Sequence, residues 1–140
     1  MSVSSIEFDV EMECGNEHLV DQEYAHAKSC FSCALQSLHC DFDSVLMDFC
    51  SVQNKLGITL LKMKQYKRSL VHFDRALGFA IQFGPTPETV NILFNIAVVH
   101  DQLRDGLALA FAKRAYAMSV KLRCEDESIK ELIARIESEG

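Results

Sequence analysis

The sequence predicts an all-α protein, seven helices folded as three helix hairpins and a closing helix. Three observations predict it. Apolar residues recur at i, i+3, i+4 and i+7, the spacing that puts them on one side of an α-helix. Two prolines and six glycines in 140 residues leave too few breaks for many short strands. A pattern of small and apolar residues also returns twice along the chain, at spacings of 42 and then 40 residues.

The expected helices cover about 6–19, 22–39, 42–62, 65–83, 87–102, 105–123 and 126–138. The first holds ECGNEH at 13–18, whose small residue Gly15 returns as Gly57 in KLGITL and as Ala97 in NIAVVH. The first, third and fifth helices are therefore counterparts. The second holds YAHAKSCFSCAL at 24–35 and the fourth YKRSLVHFDRAL at 66–77, which share Tyr24/Tyr66, Phe31/Phe73, Ala34/Ala76 and Leu35/Leu77. The stripe of the fourth runs Tyr66, Leu70, Phe73, Leu77, then Ala80 and Ile81. In FGPTPETV, Gly84 with Pro85 and Pro87 ends that helix, and Thr86 is the expected N-cap of the next. The fifth, VNILFNIAVVHDQL, aligns Val90, Leu93, Phe94, Ala97 and Val98. Gly106 marks a tighter turn before the sixth. Asp126 opens the last, with Ile129, Leu132, Ile133 and Ile136 on one face.

One domain of 140 residues is expected, 49% hydrophobic and 24% charged, enough to bury a core and remain soluble. The start, MSVSSIEFDV, lacks the basic and apolar regions of a secretory signal. No stretch is long and apolar enough for a membrane span, so the expectation is an intracellular, cytoplasmic protein. A net charge of −6 argues against nucleic acid as partner, because phosphate contacts need clustered Lys and Arg. Lys62, Lys64, Lys67 and Arg68 do cluster, at a predicted turn that solvates them.

Cys30 and Cys33 form a C-x-x-C with His26 close by, which raises metal binding or redox chemistry. The fourth helix keeps the same small and apolar spacing with no cysteine at either place, so packing explains the segment better. Zinc would need four ligands, with Cys14 or Cys40 as further candidates, and no second C-x-x-C or H-x-x-x-H completes a set. No metal or other cofactor is expected. A thiol oxidoreductase is the weakest reading, since the βαβ context of a thioredoxin-like motif is missing. No G-x-S-x-G, P-loop or HExxH occurs, so no enzyme is expected.

The repeated pattern resembles the tetratricopeptide repeat, W-x2-L-G-x2-Y…A-x3-F…P over two antiparallel helices. The first copy has Gly15, Tyr24 and Ala27-x3-Phe31-x2-Ala34; the second Leu56-Gly57-x2-Leu60, Tyr66 and Ser69-x3-Phe73-x2-Ala76. The third has Ile96-Ala97-x2-His100 and Ala108-x3-Ala112-x2-Ala115, while the Trp position holds Glu11, Gln53 and Leu93. The long FGPTPETVNILFNIAVVHDQLRD stretch is similar to the kinesin light chain variety. The resemblance implies a right-handed α-solenoid with repeats at about 8–41, 42–84 and 87–124, closed by a capping helix at about 126–138. It places Gly15, Gly57 and Ala97 where paired helices come close, Gly57 near Ser69, and uses Phe31 and Phe73 to fill the gap against the next repeat.

A function as a non-enzymatic scaffold follows from that resemblance, holding a protein or peptide segment in a concave groove lined by the first helix of each pair. The inward positions are Asp9, Met12, Glu13 and Asn16; Asn54, Lys55, Ile58 and Lys62; and Asn91, Phe94, Asn95, Val98 and Gln102. Asparagine is a poor helix-interior residue, so its return at Asn16, Asn54, Asn91 and Asn95 is informative. Such amides can pair with an extended backbone over an apolar floor of Ile58, Phe94 and Val98. Solvated or bridging helix residues are the plainer reading of the same positions. A basic or mixed ligand suits the negative charge. The clamp for a chaperone's C-terminal carboxylate is rejected, because of Met12, Asn16, Lys55, Asn91 and Asn95 only Asn16 fits. The alternative is an oligomerisation module associating through its end repeats, with Phe8 and Val10 of the uncapped N-terminal pair facing a second copy.

Overall fold

The described residues of the computed structural model, backbone 3–36 and 42–139 and side chains 8–36 and 48–139, form seven α-helices. They are α1 (Val3–Val20), α2 (Tyr24–Gln36), α3 (Phe42–Lys62), α4 (Tyr66–Gln82), α5 (Pro87–Leu103), α6 (Ala108–Leu122) and α7 (Glu127–Glu139). The all-α expectation holds; α3 keeps its expected bounds, and those of α4 to α7 differ by at most three residues. The second helix begins at Tyr24 rather than 22 because Gln22 has a φ of 63°, which no helix residue adopts. Its expected end, with His39 and Cys40, lies outside the described residues.

Local chemistry sets the helix ends. Thr86 caps α5 as expected: its hydroxyl accepts from the Thr89 amide, and the Thr89 hydroxyl accepts from the Thr86 amide. Gly84 and Gly106 adopt φ of 82° and 85°, the left-handed conformation glycine takes without steric cost. Four other left-handed positions are not glycine: Gln22, Lys64, Arg104 and Arg123. Three of them precede an amide that reaches back five residues, Glu23 to His18, Gln65 to Leu60 and Cys124 to Ser119, at 2.8–3.0 Å. These bonds satisfy helix-end carbonyls and hold each turn in place of a glycine.

The chain divides into two compact units, residues 1–79 and 80–140. In the first, α1 and α2 pack antiparallel, as Cys14 meets Cys30 and His18 meets His26. Helices α3 and α4 do the same: Phe49 meets Phe79, Cys50 the Ala76 carbonyl, and Gln53 His72. Phe8, Ala27, Phe31, Ala34, Val52 and Leu56 form one core cluster, so α3 covers the first hairpin. Phe31 and Phe73 are wholly buried.

Both rings lie over the glycine of their own hairpin. A Cβ on Gly15 would stand 2.6 Å from Cε1 of Phe31, and one on Gly57 2.5 Å from Cε1 of Phe73. Glycine makes room for the aromatic ring of its own hairpin, and Phe31 reaches the following helix from that position. Gly57 meets Phe73, while Ser69, one turn away, turns its hydroxyl to the Tyr66 carbonyl at 2.6 Å.

In the second unit α5 and α6 pair antiparallel, and α7 packs on α6. Ala97, Ala112 and Leu132 form its core cluster, flanked by Phe94, Val98, Phe111, Ile133 and Ile136. The expected closing helix therefore seals the third hairpin through its predicted apolar face. Arg135 of α7 pairs with Asp101 of α5, and Lys113 with Glu137 at 3.7 Å. Among the described residues every buried side-chain polar atom has a hydrogen-bond partner.

Candidate functional site

The predicted groove residues lie on the first helix of each hairpin, in differing surroundings. On α1, Glu13, Asn16, Glu17, Val20 and Asp21 line an open depression of about 420 Å³. These positions recur at three- and four-residue steps, so one helix face supplies most of its wall. Glu13 and Asn16 are two of the predicted inward residues; the acidic Glu17 and Asp21 were not singled out in advance. Charge accumulates along the same unit at Asp48, whose carboxyl is pushed up by burial and then by the neighbouring charge of Asp9.

On α3, Asn54 is only 5% exposed, whereas Lys55 and Ile58 are half-buried. Asn54 thus belongs to the packed interior. Gln53, at the position of the repeat's tryptophan, is buried too and accepts a 2.7 Å hydrogen bond from Nδ1 of His72. Burial, then the nearby Arg75, Arg68 and Lys28, holds His72 below the ordinary histidine value, so it is neutral at pH 7.

On α5, Asn91 is exposed, and Phe94, Asn95 and Val98 are half-buried. Phe94 and Val98 were expected as open apolar floor. They pack beside Ala97, Ala112 and Leu132, so α7 takes up part of that surface. Phe8, expected to face a second copy, is buried in its own core cluster, and Val10 is 58% exposed.

The cysteines arrange themselves otherwise than the C-x-x-C suggests. Cys30 Sγ lies 3.1 Å from Cys14 Sγ across the first hairpin. Cys33 is exposed and lines a separate depression with Lys28, Ser32 and Met63. Burial, then the hydrogen bond and charge of Cys14, pushes the Cys30 thiol up to about 12. Nucleophilic C-x-x-C cysteines work through lowered pKa values, so Cys30 lacks the activation that thiol–disulfide exchange requires. His18 completes a group with Cys14 and Cys30 in which the ligand atoms all lie within 4.8 Å of one another. Its Nδ1 stands 3.2 Å from Glu23 Oε2, and the ring centroid of His26 is 5.4 Å from its own.

The third hairpin repeats the histidine–acid arrangement. His100 Nδ1 lies 2.6 Å from Asp105 Oδ2, and the imidazole stacks on Phe111 at 5.2 Å. Burial is the largest single influence on Asp105 and raises its carboxyl, but the hydrogen bonds from His100 and the Leu107 amide and the charge of His100 together hold it below the ordinary value. With both neighbours engaged in closing the turn, His100 is a packing residue, as the sequence suggested for it.

No helix among the described residues is long and apolar enough to cross a membrane. No curated protein matches the chain. Residues 48–119, just over half of the sequence, match the family model described as Tetratricopeptide repeat.

Proposed function

The chain belongs to the tetratricopeptide repeat family, and from that premise we propose that it is a non-catalytic scaffold binding an extended protein segment of basic or mixed charge. Repeats of this kind act by presenting helix faces to other proteins. The observation that carries the charge preference is the α1 depression, where Glu13, Glu17 and Asp21 surround Asn16. The acids attract a cationic segment, and the Asn16 amide offers donors and an acceptor to its backbone. Within the first unit Lys55 and Ile58 extend the proposed surface with Asn54 supporting it from within; within the second, Asn91 and Asn95 offer a surface of their own over Phe94 and Val98. A chain with six cysteines suits a reducing compartment, so we place it in the cytoplasm.

Binding of extended lysine- and arginine-rich peptides, measured against acidic ones of equal length, tests the reading. We expect the basic set to bind and to weaken with salt. Glu13→Gln with Glu17→Gln should lower affinity about 3- to 10-fold, the size expected of exposed charges. Preference for acidic peptides, or unchanged affinity in the double variant, would reject the α1 surface. Self-association through the N-terminal hairpin is the second reading. Phe8 is withdrawn into the core and Val10 is left to support it, so sedimentation should report a monomer.

A further inference from the structure

Two pairs of side chains face each other across the first hairpin. Cys14 and His18 are four residues apart on α1, and His26 and Cys30 are four residues apart on α2. Residues at i and i+4 share a helix face. Because the helices run antiparallel, cysteine meets cysteine at one end and histidine meets histidine at the other. The sulfurs are 3.1 Å apart and the imidazole centroids 5.4 Å apart. We propose that Cys14, His18, His26 and Cys30 bind one soft divalent cation, Zn²⁺ by preference, clamping α1 to α2.

The donor set supports that choice. Two thiolates and two neutral imidazoles make a Cys2His2 set, and two thiolates balance the charge of a divalent ion. In a tetrahedral site with metal–sulfur bonds of about 2.3 Å, the sulfurs stand about 3.8 Å apart. The two cysteines need only separate slightly. Three ligand atoms, from Cys14, His18 and Cys30, already lie within 4.8 Å of one another. His26 is exposed and completes the set by rotation of its side chain.

Glu23 supplies an independent indication. A carboxylate only accepts, so the 3.2 Å contact makes Nδ1 of His18 the protonated nitrogen and leaves Nε2 for the metal. Metal-bound histidines are commonly oriented in this way, and losing the carboxylate weakens the metal by 10- to 100-fold. The cluster is also peculiar to this hairpin. The corresponding places hold Leu56, Leu60, Arg68 and His72 in the second, and Ile96, His100, Leu107 and Phe111 in the third.

The test titrates the full chain with Co²⁺ under a non-chelating phosphine reductant. We expect one equivalent to bind, with thiolate-to-cobalt charge transfer and the strong d–d bands of a tetrahedral site, and Zn²⁺ to displace it. The double change Cys14→Ser with Cys30→Ser should abolish the charge-transfer band, and Cys33→Ser should keep it. Glu23→Gln should weaken cobalt about 10-fold or more with the spectrum retained. Absence of the band in the reduced, helical wild-type protein would overturn the proposal, since that measurement does not depend on any variant folding. Its persistence in the double serine variant, or a Cys14–Cys30 disulfide that survives the phosphine, would do the same.

Discussion

The first and third hairpins share a backbone plan and differ in what fills it. In the first, Gly15 admits the ring of Phe31; in the third, the same two positions are Ala97 and Ala112, both wholly buried. Bulk lost at Ala112 is made up by Leu132 from α7. One residue above, Cys14 and Cys30 meet in the first hairpin, where the third has Ile96 and Phe111. His18 and His100 each reach an acid five residues on, but His100 stacks on Phe111 and His18 faces a second imidazole. The lesson is that the closing contact is interchangeable in size so long as the pair is complementary. The layer beside it is then free to carry either packing or chemistry.

The largest break in that comparison is Phe31→Ala. The ring is wholly buried over Gly15 and shares a core cluster with Val52 and Leu56 of α3. A loss of about 3–5 kcal/mol is expected, read as a lower urea midpoint by circular dichroism. A smaller effect distinguishes the second hairpin. His72 is neutral in the fold because burial, followed by Arg75, Arg68 and Lys28, disfavours its charged form. Its folded pKa lies below the unfolded value of about 6.5, so the unfolded chain binds more protons between them. Stability should be full above about pH 6.5 and decline as pH falls toward the lower folded value. His72→Gln should shrink the fall in melting temperature between about pH 7 and pH 5. The smallest effect is at the turns. Lys64→Gly removes the strain of a left-handed lysine with φ 63° and should add up to about 1 kcal/mol, measured by the same urea titration.

Much of the fold was legible because periodicity and the small-residue spacing are written along one dimension. Thr86, Gly84 and Gly106 announced their turns by type. Gln22, Lys64, Arg104 and Arg123 did not, because the left-handed penalty for an ordinary residue is small beside the carbonyls those turns satisfy. The site was less legible. Asn54 lies on the first helix of its hairpin as Asn16 and Asn91 do on theirs, but only packing puts it inside. C-x-x-C spacing pointed along α2 to Cys33, whereas the neighbours of Cys30 lie across the hairpin. A signal was present: C-x3-H before the turn and H-x3-C after it are mirror-ordered, as an antiparallel pair requires. Charge at Glu13, Glu17 and Asp21 had a helical step as well, hidden by counting net charge over the whole chain.

The rule of complementary closure is tested most directly by Gly57→Ala measured twice. With Phe73 in place, the new Cβ would stand 2.5 Å from the ring, and overpacking should outweigh the gain in helix propensity, leaving a net loss of about 1–2 kcal/mol. With Phe73→Ala, which reproduces the alanine pair of the third hairpin, the same change should stabilise by up to about 1 kcal/mol. That reversal of sign is the predicted result. An equal effect in both backgrounds, within about 0.5 kcal/mol, would contradict it.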